Sequence, residues 1–173
     1  MNSTADSDLF DRLGRPARMR QIASYDLFAP GLRPRLDALA TRTAARLHAP
    51  VSLISVVLDS AQFVLGRHGV GGWMAEIDGI PAEWSLCAHT VLAGRPYCVT
   101  DGATDPAHAD NPLLNMTDMH SYAGVPLIDH SGQAIGAHCV IDVDPRTFTD
   151  DDLALLADSA AETMRILDEH RRS

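Results

Sequence analysis

Apolar residues recur every three or four positions in two segments, one near each end of the chain. The first segment predicts a helix over residues 33–48, which ends there because Pro50 disfavours helix in the residue before it. The second predicts a helix that begins after Thr149, an N-cap residue followed by three aspartates whose charge suits a helix start. The two apolar stripes are Leu36, Leu39, Ala40, Thr43 and Leu47, and Leu153, Leu156, Ala157, Ala160, Met164 and Leu167.

Short apolar runs between these helices predict β-strands. Residues 51–58 are nearly all β-branched or aliphatic, which is typical of a strand buried on both faces, and residues 61–65 are its predicted antiparallel partner. Residues 122–128 and 134–142 predict a second hairpin around the turn at residues 129–132.

Side chains alternate between the two faces of a strand, and this alternation separates two residues of the last strand. The odd-numbered positions from 135 to 141 share one face, and the even-numbered positions share the other. We therefore expect His138 and Cys139 to point in opposite directions.

The middle of the chain predicts one more helix and one more strand. Residues 85–93 are apolar at helical spacing, and residues 97–100 are a short strand-like run. Residues 66–81 are rich in glycine and read as a loop that either folds over a pocket or fills the edge of the core. The large apolar side chains of this loop are Trp73, Met74, Ile77 and Ile80.

The first 30 residues are predicted to be an N-terminal extension to one domain, residues 31–173. A short helix is predicted over residues 7–13. The basic residues between Arg15 and Arg20 are expected to form a solvated segment rather than a binding motif.

Composition and charge exclude several classes of protein. The chain has 173 residues, a net charge of −9 and no lysine, which argues against a nucleic-acid surface and disfavours anionic lipid. No apolar run reaches the roughly 18–20 residues that span a bilayer, and the acidic start of the chain is unlike a signal peptide. We therefore expect a cytoplasmic protein whose three cysteines are buried free thiols.

Several short motifs follow one another in order between residues 35 and 170. They are Ser85-Leu-Cys-Ala-His89, Val99-Thr-Asp101, Asp105-Pro106, Ala109-Asp-Asn-Pro112, Tyr122-Ala-Gly-Val-Pro-Leu127, Ile135-Gly136, Cys139-Val-Ile-Asp142, Pro145-Arg146 and Phe148-Thr-Asp150. No single motif is specific, but their order and spacing together resemble the GAF domain family of small-molecule sensor modules.

The resemblance implies an α/β (α+β) fold with a central antiparallel sheet. The N- and C-terminal helices would lie on one face of this sheet, and a pocket-covering helix and loops on the other. It also implies a ligand pocket under residues 66–121. The implied pocket residues are Phe63, Trp84, Cys87, Asp110, Asn111, His120, Tyr122 and Cys139.

One enzyme branch of this family, the free methionine-(R)-sulfoxide reductases, resembles the chain in fold and in a cysteine near the position of Cys87. That branch also needs a catalytic cysteine in the loop before the Gly-Val-Pro strand. The corresponding loop here, residues 111–121, contains no cysteine, which disfavours the reductase reaction.

Other branches of the family bind chromophores or nucleotides. Bilin-binding relatives attach the chromophore through a cysteine in a comparable place, so covalent bilin is not expected. Cyclic-nucleotide-binding relatives carry an Asn-Lys-Phe-Asp-Glu set, which a chain without lysine lacks. Met116, Met119 and His120 could reach a haem iron, although methionines at this spacing are more often pocket lining.

Candidate catalytic and metal-binding groups are weakly supported. Cys87 and His89 are two residues apart on a predicted helix and do not face each other. A Cys–His nucleophile pair would therefore have to combine Cys87 with a distant histidine. Asp101, Asp105 and Asp110 are explained more simply as turn formers. A zinc site is not expected, because no HxxxH or CxxC spacing supports one. Its ligands would come from His89, His108, His120, Cys87 and Cys139.

The leading hypothesis is a non-enzymatic sensor that binds a small molecule, forms a homodimer through its first and last helices and acts in signal transduction through a partner. The alternative is a cysteine-based redox sensor or reductase that uses Cys87, together with Cys98 or Cys139. A third hypothesis is a structural interaction domain with a filled pocket.

Overall fold

The computed structural model describes residues 3–172, and its centre is a six-stranded sheet in which all neighbouring strands are antiparallel. The order across the sheet is β3-β2-β1-β6-β5-β4. Both predicted hairpins are present, as β1–β2 and β5–β6, and they meet in the middle of the sheet through β1 and β6. The strands are β1 Val51–Val57, β2 Ala61–His68, β3 Gly79–Pro81, β4 Tyr97–Val99, β5 Ser121–Ile128 and β6 Ala134–Asp142.

Helices cover both faces of the sheet, which confirms the α+β class. Helices α3 and α6 pack on one face, called the back, and α4 packs on the other, called the front. The helices are α1 Ser3–Leu13, α2 Pro16–Ala23, α3 Leu32–Leu47, α4 Leu86–Ala93, α5 Pro112–Met116 and α6 Asp150–Asp168. None of them is long and apolar enough to cross a membrane within the described residues.

Helix α6 begins as predicted and buries most of the predicted stripe. Thr149 and Asp152 form a capping box, in which each side chain accepts a hydrogen bond from the other residue's backbone N–H. Ala157 is exposed, and Ser159 and Thr163 are buried instead. Ser159 fits the interface with α3, because its hydroxyl accepts a hydrogen bond from Thr43 at 3.0 Å. Thr163 contacts His138 of β6 at 3.1 Å.

The alternation in β6 is correct except at its start. Cys139 belongs to the front core, and His138 hydrogen-bonds to α6 on the back, as predicted. Ile135 belongs to the back core instead of the front. The pairing shifts there, because Leu127 is opposite Gly136 whereas Ile128 is opposite Ala134. The extra residue interrupts the two-residue period.

The segment before α3 is packed against the domain. Leu13, at the end of α1, is fully buried in the front core. Arg18 is only 5% exposed, and its guanidinium donates hydrogen bonds to the backbone carbonyls of Leu13, Leu58 and Ala134 at 2.8–3.3 Å. The prediction of a solvated basic segment is therefore wrong for Arg18, which joins α1 and α2 to the sheet.

Candidate functional site

A small cavity of about 40 Å³ lies between the front of the sheet and α4. Drug-sized ligands occupy pockets of about 300–1,000 Å³, so the cavity is closed to about the volume of a few waters in this conformation. Its lining is almost entirely apolar. The lining residues are Leu53, Gln62, Val64, Arg67, Val70, Met74, Ile77, Gly79, Ile80, Leu86, Cys87, Leu113, Met119, Tyr122, Cys139 and Ile141.

Two thiols and a phenol meet at the wall of this cavity. The Sγ of Cys87, on α4, lies 3.9 Å from the Sγ of Cys139, on β6. The Tyr122 hydroxyl donates to the Cys87 Sγ at 3.4 Å and lies 2.8 Å from the Thr90 Oγ1. All four side chains are buried.

The hydrogen bonds make the two thiols chemically different. The contact with Cys139, aided by the Tyr122 hydroxyl, lowers the pKa of the Cys87 thiol although burial opposes it. The same contact and burial raise the pKa of the Cys139 thiol well above its ordinary value. Burial likewise raises the pKa of Tyr122. Cys87 is therefore the thiol of this pair that more readily becomes a thiolate.

The start of α4 is held to the sheet by buried polar groups. Ser85, the N-cap, accepts a hydrogen bond from the Ala88 N–H and donates one to the Gln62 Oε1. The amide nitrogen of Gln62 in turn donates to the Ser55 Oγ at 2.9 Å. The amide oxygen and the amide nitrogen of Gln62 therefore both have hydrogen-bond partners within the fold, although the side chain borders the cavity.

Residues 70–78, called the cover segment, close the cavity from the side of β2. The Arg67 guanidinium donates to the carbonyls of Met74, Ala75 and Ile77 at 2.9–3.3 Å and binds the Asp78 carboxylate. The backbone just before this segment packs tightly against Pro50. A Cβ on Gly69 would lie 1.9 Å from the carbonyl oxygen of Pro50, so the position requires glycine. The sequence left open whether this loop folds over a pocket or fills the edge of the core, and the structure shows it folded over a cavity.

An open groove of about 390 Å³ lies directly beside the cavity. Its outer rim carries exposed apolar side chains, namely Trp73, Met116 and Val143. The side chains of Met74 and Met119 are among those that border both spaces. Methionine is flexible, so these two side chains form an adaptable partition between groove and cavity.

Three of the eight predicted pocket residues line the cavity: Cys87, Tyr122 and Cys139. The placement of Phe63 was wrong. It packs against the back core, 5.6 Å from the Phe28 ring between centroids. The two-residue period of β2 explains this, because Gln62 and Val64 face the cavity and the residue between them must point away.

The other four predicted residues do not line the cavity, and two of them shape the loops around it. The Asn111 Oδ1 caps α5, and its amide nitrogen donates to the Trp84 carbonyl at 3.3 Å. His120 lies 3.2 Å from the Asp101 carboxylate, and Asp110 is exposed. Asp110 and Asn111 are polar turn residues, and the family motif that contains them marks a loop beside the cavity rather than its lining.

The cavity residues that the sequence analysis missed come from separate segments. Gln62, Arg67, Leu113 and Ile141 have no shared motif. The two-residue periods of β2 and β6 indicated which face of the sheet Gln62 and Ile141 would occupy. No local signal distinguished Leu113 from an ordinary loop residue, whereas the methionine spacing had already indicated that Met119 could line a pocket.

The histidines considered for zinc differ in exposure, since His108 is buried and His89 is exposed. His89 and His108 do come together, with ring centroids 5.1 Å apart, and the Tyr97 hydroxyl bonds the His108 Nε2. Within residues 3–172 no three His, Cys, Asp or Glu side chains cluster around a common point for a metal ion. Cys98 is exposed on the edge strand β4, so the prediction that all three thiols are buried is wrong for this residue.

The fold and the cavity define the class of this protein as an α+β domain that carries a small apolar cavity on the front of its sheet. The chain belongs to the GAF domain family, whose model matches residues 32–167. A cyclic di-GMP phosphodiesterase of Pseudomonas aeruginosa is 27% identical over 142 residues, which cover 81% of this chain and 23% of that protein. The chain therefore corresponds to a minor part of that relative's length.

Solved structures confirm the fold. The GAF domain of a phosphoenolpyruvate-protein phosphotransferase from Coxiella burnetii has a TM-score of 0.67 at 16% identity, over 98% of this chain and 96% of its own. A type II free methionine-R-sulfoxide reductase from Thermoplasma acidophilum has a TM-score of 0.64 at 17% identity, over 81% and 94%. At such low identity the likeness is one of architecture.

Proposed function

We propose that this chain is a non-enzymatic sensory domain that binds an uncharged, largely apolar small molecule in the front cavity and acts in signal transduction through a partner. The observation that supports it is the lining, in which apolar side chains surround a few polar groups that already have partners. Sites of this composition are typical of small-molecule binding.

The absence of charge on the ligand follows from those partners. Arg67, the charged side chain of the lining, is bound to Asp78 and to three carbonyls, and Gln62 is bound to Ser55 and Ser85. A charged ligand would lose its hydration without gaining a free counter-ion, which is costly in an apolar site.

Binding requires the cavity to open toward the groove. Movement of Met74 and Met119 would join the two spaces, since both side chains border each of them. The joined space would accommodate an elongated molecule, with one end against Tyr122 and the other near the exposed Trp73. Displacement of the cover segment would then be the signal that a partner reads.

We propose that the domain passes its signal on by acting on a partner protein. The relative in Pseudomonas aeruginosa is a cyclic di-GMP phosphodiesterase, and this favours a role for the present chain in regulating a signalling protein. A homodimer through α3 and α6 would present two cover segments to such a partner. The outer surfaces of both helices lie on the back, away from the cavity.

The test is a thermal-shift titration with N-phenyl-1-naphthylamine, a neutral apolar compound, followed by a small-molecule library. A ligand of the native state raises the melting temperature. Met119→Trp should abolish the shift by filling the partition, whereas Leu155→Trp, at an exposed position of α6, should preserve it. Failure of every compound to stabilise the wild type would contradict the proposal and favour a structural domain with a filled pocket.

A second candidate function is a thiol-based reductase related to the methionine sulfoxide enzymes, and the 3.9 Å approach of Cys87 and Cys139 favours it. Against it, the third thiol, Cys98, does not border the cavity, and residues 111–121 offer no cysteine. Turnover of free methionine-(R)-sulfoxide with dithiothreitol, lost in Cys87→Ser, would support the reductase. No turnover would leave the binding domain as the better proposal.

A further inference from the structure

The Cys87–Cys139 pair connects the two walls of the cavity. Cys87 belongs to α4, which covers the front of the sheet, and Cys139 belongs to the central strand β6. Their exposed fractions are 2% and 0%. A disulfide has an S–S length of about 2.05 Å, so the present 3.9 Å separation must shorten by about 2 Å.

We propose that Cys87 and Cys139 form a reversible disulfide when a small hydroperoxide enters the cavity, and that this bond lowers the affinity of the cavity for its ligand. The second half rests on the proposed binding function, whereas the first half does not. This use of the pair is internal to the protein and needs no sulfoxide substrate.

The chemistry balances with one hydroperoxide for each disulfide. The Cys87 thiolate attacks one peroxide oxygen, the O–O bond breaks, and the leaving oxygen takes up a proton to give water or an alcohol. The resulting Cys87 sulfenic acid is attacked by the Cys139 sulfur, which forms the S–S bond and expels water with the Cys139 proton. Two thiols are oxidised, and the peroxide is reduced by two electrons.

The surroundings assign the first step to Cys87. The Tyr122 hydroxyl donates a hydrogen bond to its sulfur, and the Cys139 sulfur lies 3.9 Å away. Both contacts lower the pKa of Cys87, which favours the thiolate that attacks. The cavity of about 40 Å³ exceeds the roughly 10–15 Å³ that admits one water, so hydrogen peroxide fits beside the sulfurs. A bulky oxidant does not fit.

The bond would change the cavity because α4 is already held at its first turn. Ser85 fixes the helix start to Gln62, and a disulfide two residues further on would fix it to β6 as well. Drawing the sulfurs together narrows the wall beside Tyr122 and removes the freedom of α4 to move outward. The ligand end that would lie against Tyr122 therefore loses space, even when Met74 and Met119 move aside.

The first experiment follows the thiols in a full-length Cys98→Ser variant, which removes the exposed cysteine and intermolecular disulfides. The folded protein is treated with hydrogen peroxide, denatured in N-ethylmaleimide and weighed by mass spectrometry. We expect loss of both alkylations and a mass lower by two hydrogens, both reversed by dithiothreitol. Two alkylatable thiols after treatment, or a sulfinic acid on Cys87 without a disulfide, would overturn the proposal.

The second experiment measures N-phenyl-1-naphthylamine affinity before and after oxidation. Oxidation should weaken binding by about tenfold, a coupling within the usual range between linked sites, and the Cys98→Ser/Cys139→Ala variant should show no change. Unchanged affinity in a protein that has formed the disulfide would refute the regulatory half. If neither form binds this compound or any library compound, the binding function fails, while the disulfide stands on the mass measurement.

Discussion

The guanidinium of Arg67 binds the Asp78 carboxylate and three backbone carbonyls that precede it. Arg67 belongs to β2, so one side chain of the sheet organises most of the cover segment. Arg33 on α3 also binds Asp78, at 2.8 Å, but on the exposed side. The closed state of the cavity therefore depends more on Arg67 than on the exposed ion pair.

Arg67→Ala should loosen the cover segment. Hydrogen bonds from a charged group contribute about 1.5–3 kcal/mol, whereas an exposed ion pair contributes about 0–1 kcal/mol. We expect faster amide hydrogen exchange in residues 72–78 and a lower free energy of unfolding, by about 2 kcal/mol. Arg33→Ala is the matched control and should change little. Equal exchange in both variants would contradict this assignment.

Arg18 should be needed for stability although it lies before the matched family region. Burial lowers the pKa of Arg18 to about 10, opposed by the charge of Asp59, so the side chain stays protonated at neutral pH. Arg18→Met would leave three carbonyls without their donor and should cost about 3 kcal/mol in urea unfolding. The exposed Arg20→Met serves as control, and a similar loss in both would argue against this role.

His138 should make the protein less stable in mild acid. Its ring lies 3.2 Å from the Ser52 Oγ and 3.1 Å from the Thr163 Oγ1, and burial lowers its pKa from 6.5 to about 4. Between these two pH values, the unfolded chain therefore binds a proton at His138 and the folded chain does not. The contribution is complete above about pH 6.5 and is lost as pH falls toward 4, at a cost of about 3 kcal/mol.

Unfolding in urea at several pH values checks this expectation. His138→Gln, which keeps hydrogen-bonding groups but does not titrate, should show a shallower fall of stability between pH 6.5 and pH 4. The same slope in wild type and variant would assign the acid sensitivity to other groups.

Tyr122→Phe should slow the reaction of Cys87 with a small thiol reagent. The variant removes one of the two hydrogen bonds that lower the pKa of Cys87, so the pKa should rise and less thiolate should be present at neutral pH. The pH profile of methyl methanethiosulfonate labelling in the Cys98→Ser background measures it. Tyr97→Phe alters a hydroxyl bonded to His108 and is the control. An unshifted profile would remove Tyr122 from this role.

The predicted homodimer can be tested at the outer surface of α3 and α6. Exposed ion pairs, Arg35 with Glu169 and Arg42 with Glu162, link these helices within one protomer, and Ala38 lies between them. Ala38→Glu should weaken a dimer formed here, whereas the exposed Ala103→Glu should not. Sedimentation velocity that finds only monomer at high concentration would refute the dimer.

Local patterns predicted most of the elements. The apolar stripe of α3, the β-branched run of β1, the Thr149 cap and the turn at residues 129–132 each depend on neighbours within a few positions. Their physics is contained in the chain segment itself, through side-chain period, capping and turn geometry. The order of these segments also carried the family resemblance.

The cavity depended on interactions between distant segments. The sequence alone predicted Cys87, Tyr122 and Cys139, because each lies in a motif on a regular element. It placed Phe63 on the wrong face of β2, because a shift of one residue along a strand moves the side chain to the other face of the sheet. The role of Arg67 could not be predicted, because its three carbonyl partners become acceptors only when the cover segment folds back over β2.

The sequence by itself therefore determined the fold class, the strand hairpins and the two helices of the back, whose signals are periodic and local. Only the tertiary structure decided that Arg18 is buried, that Cys98 is exposed on an edge strand and that the Cys87 and Cys139 sulfurs meet. Burial and distance between residues far apart in the chain depend on how strands and helices pack, and no short stretch of residues encodes that packing.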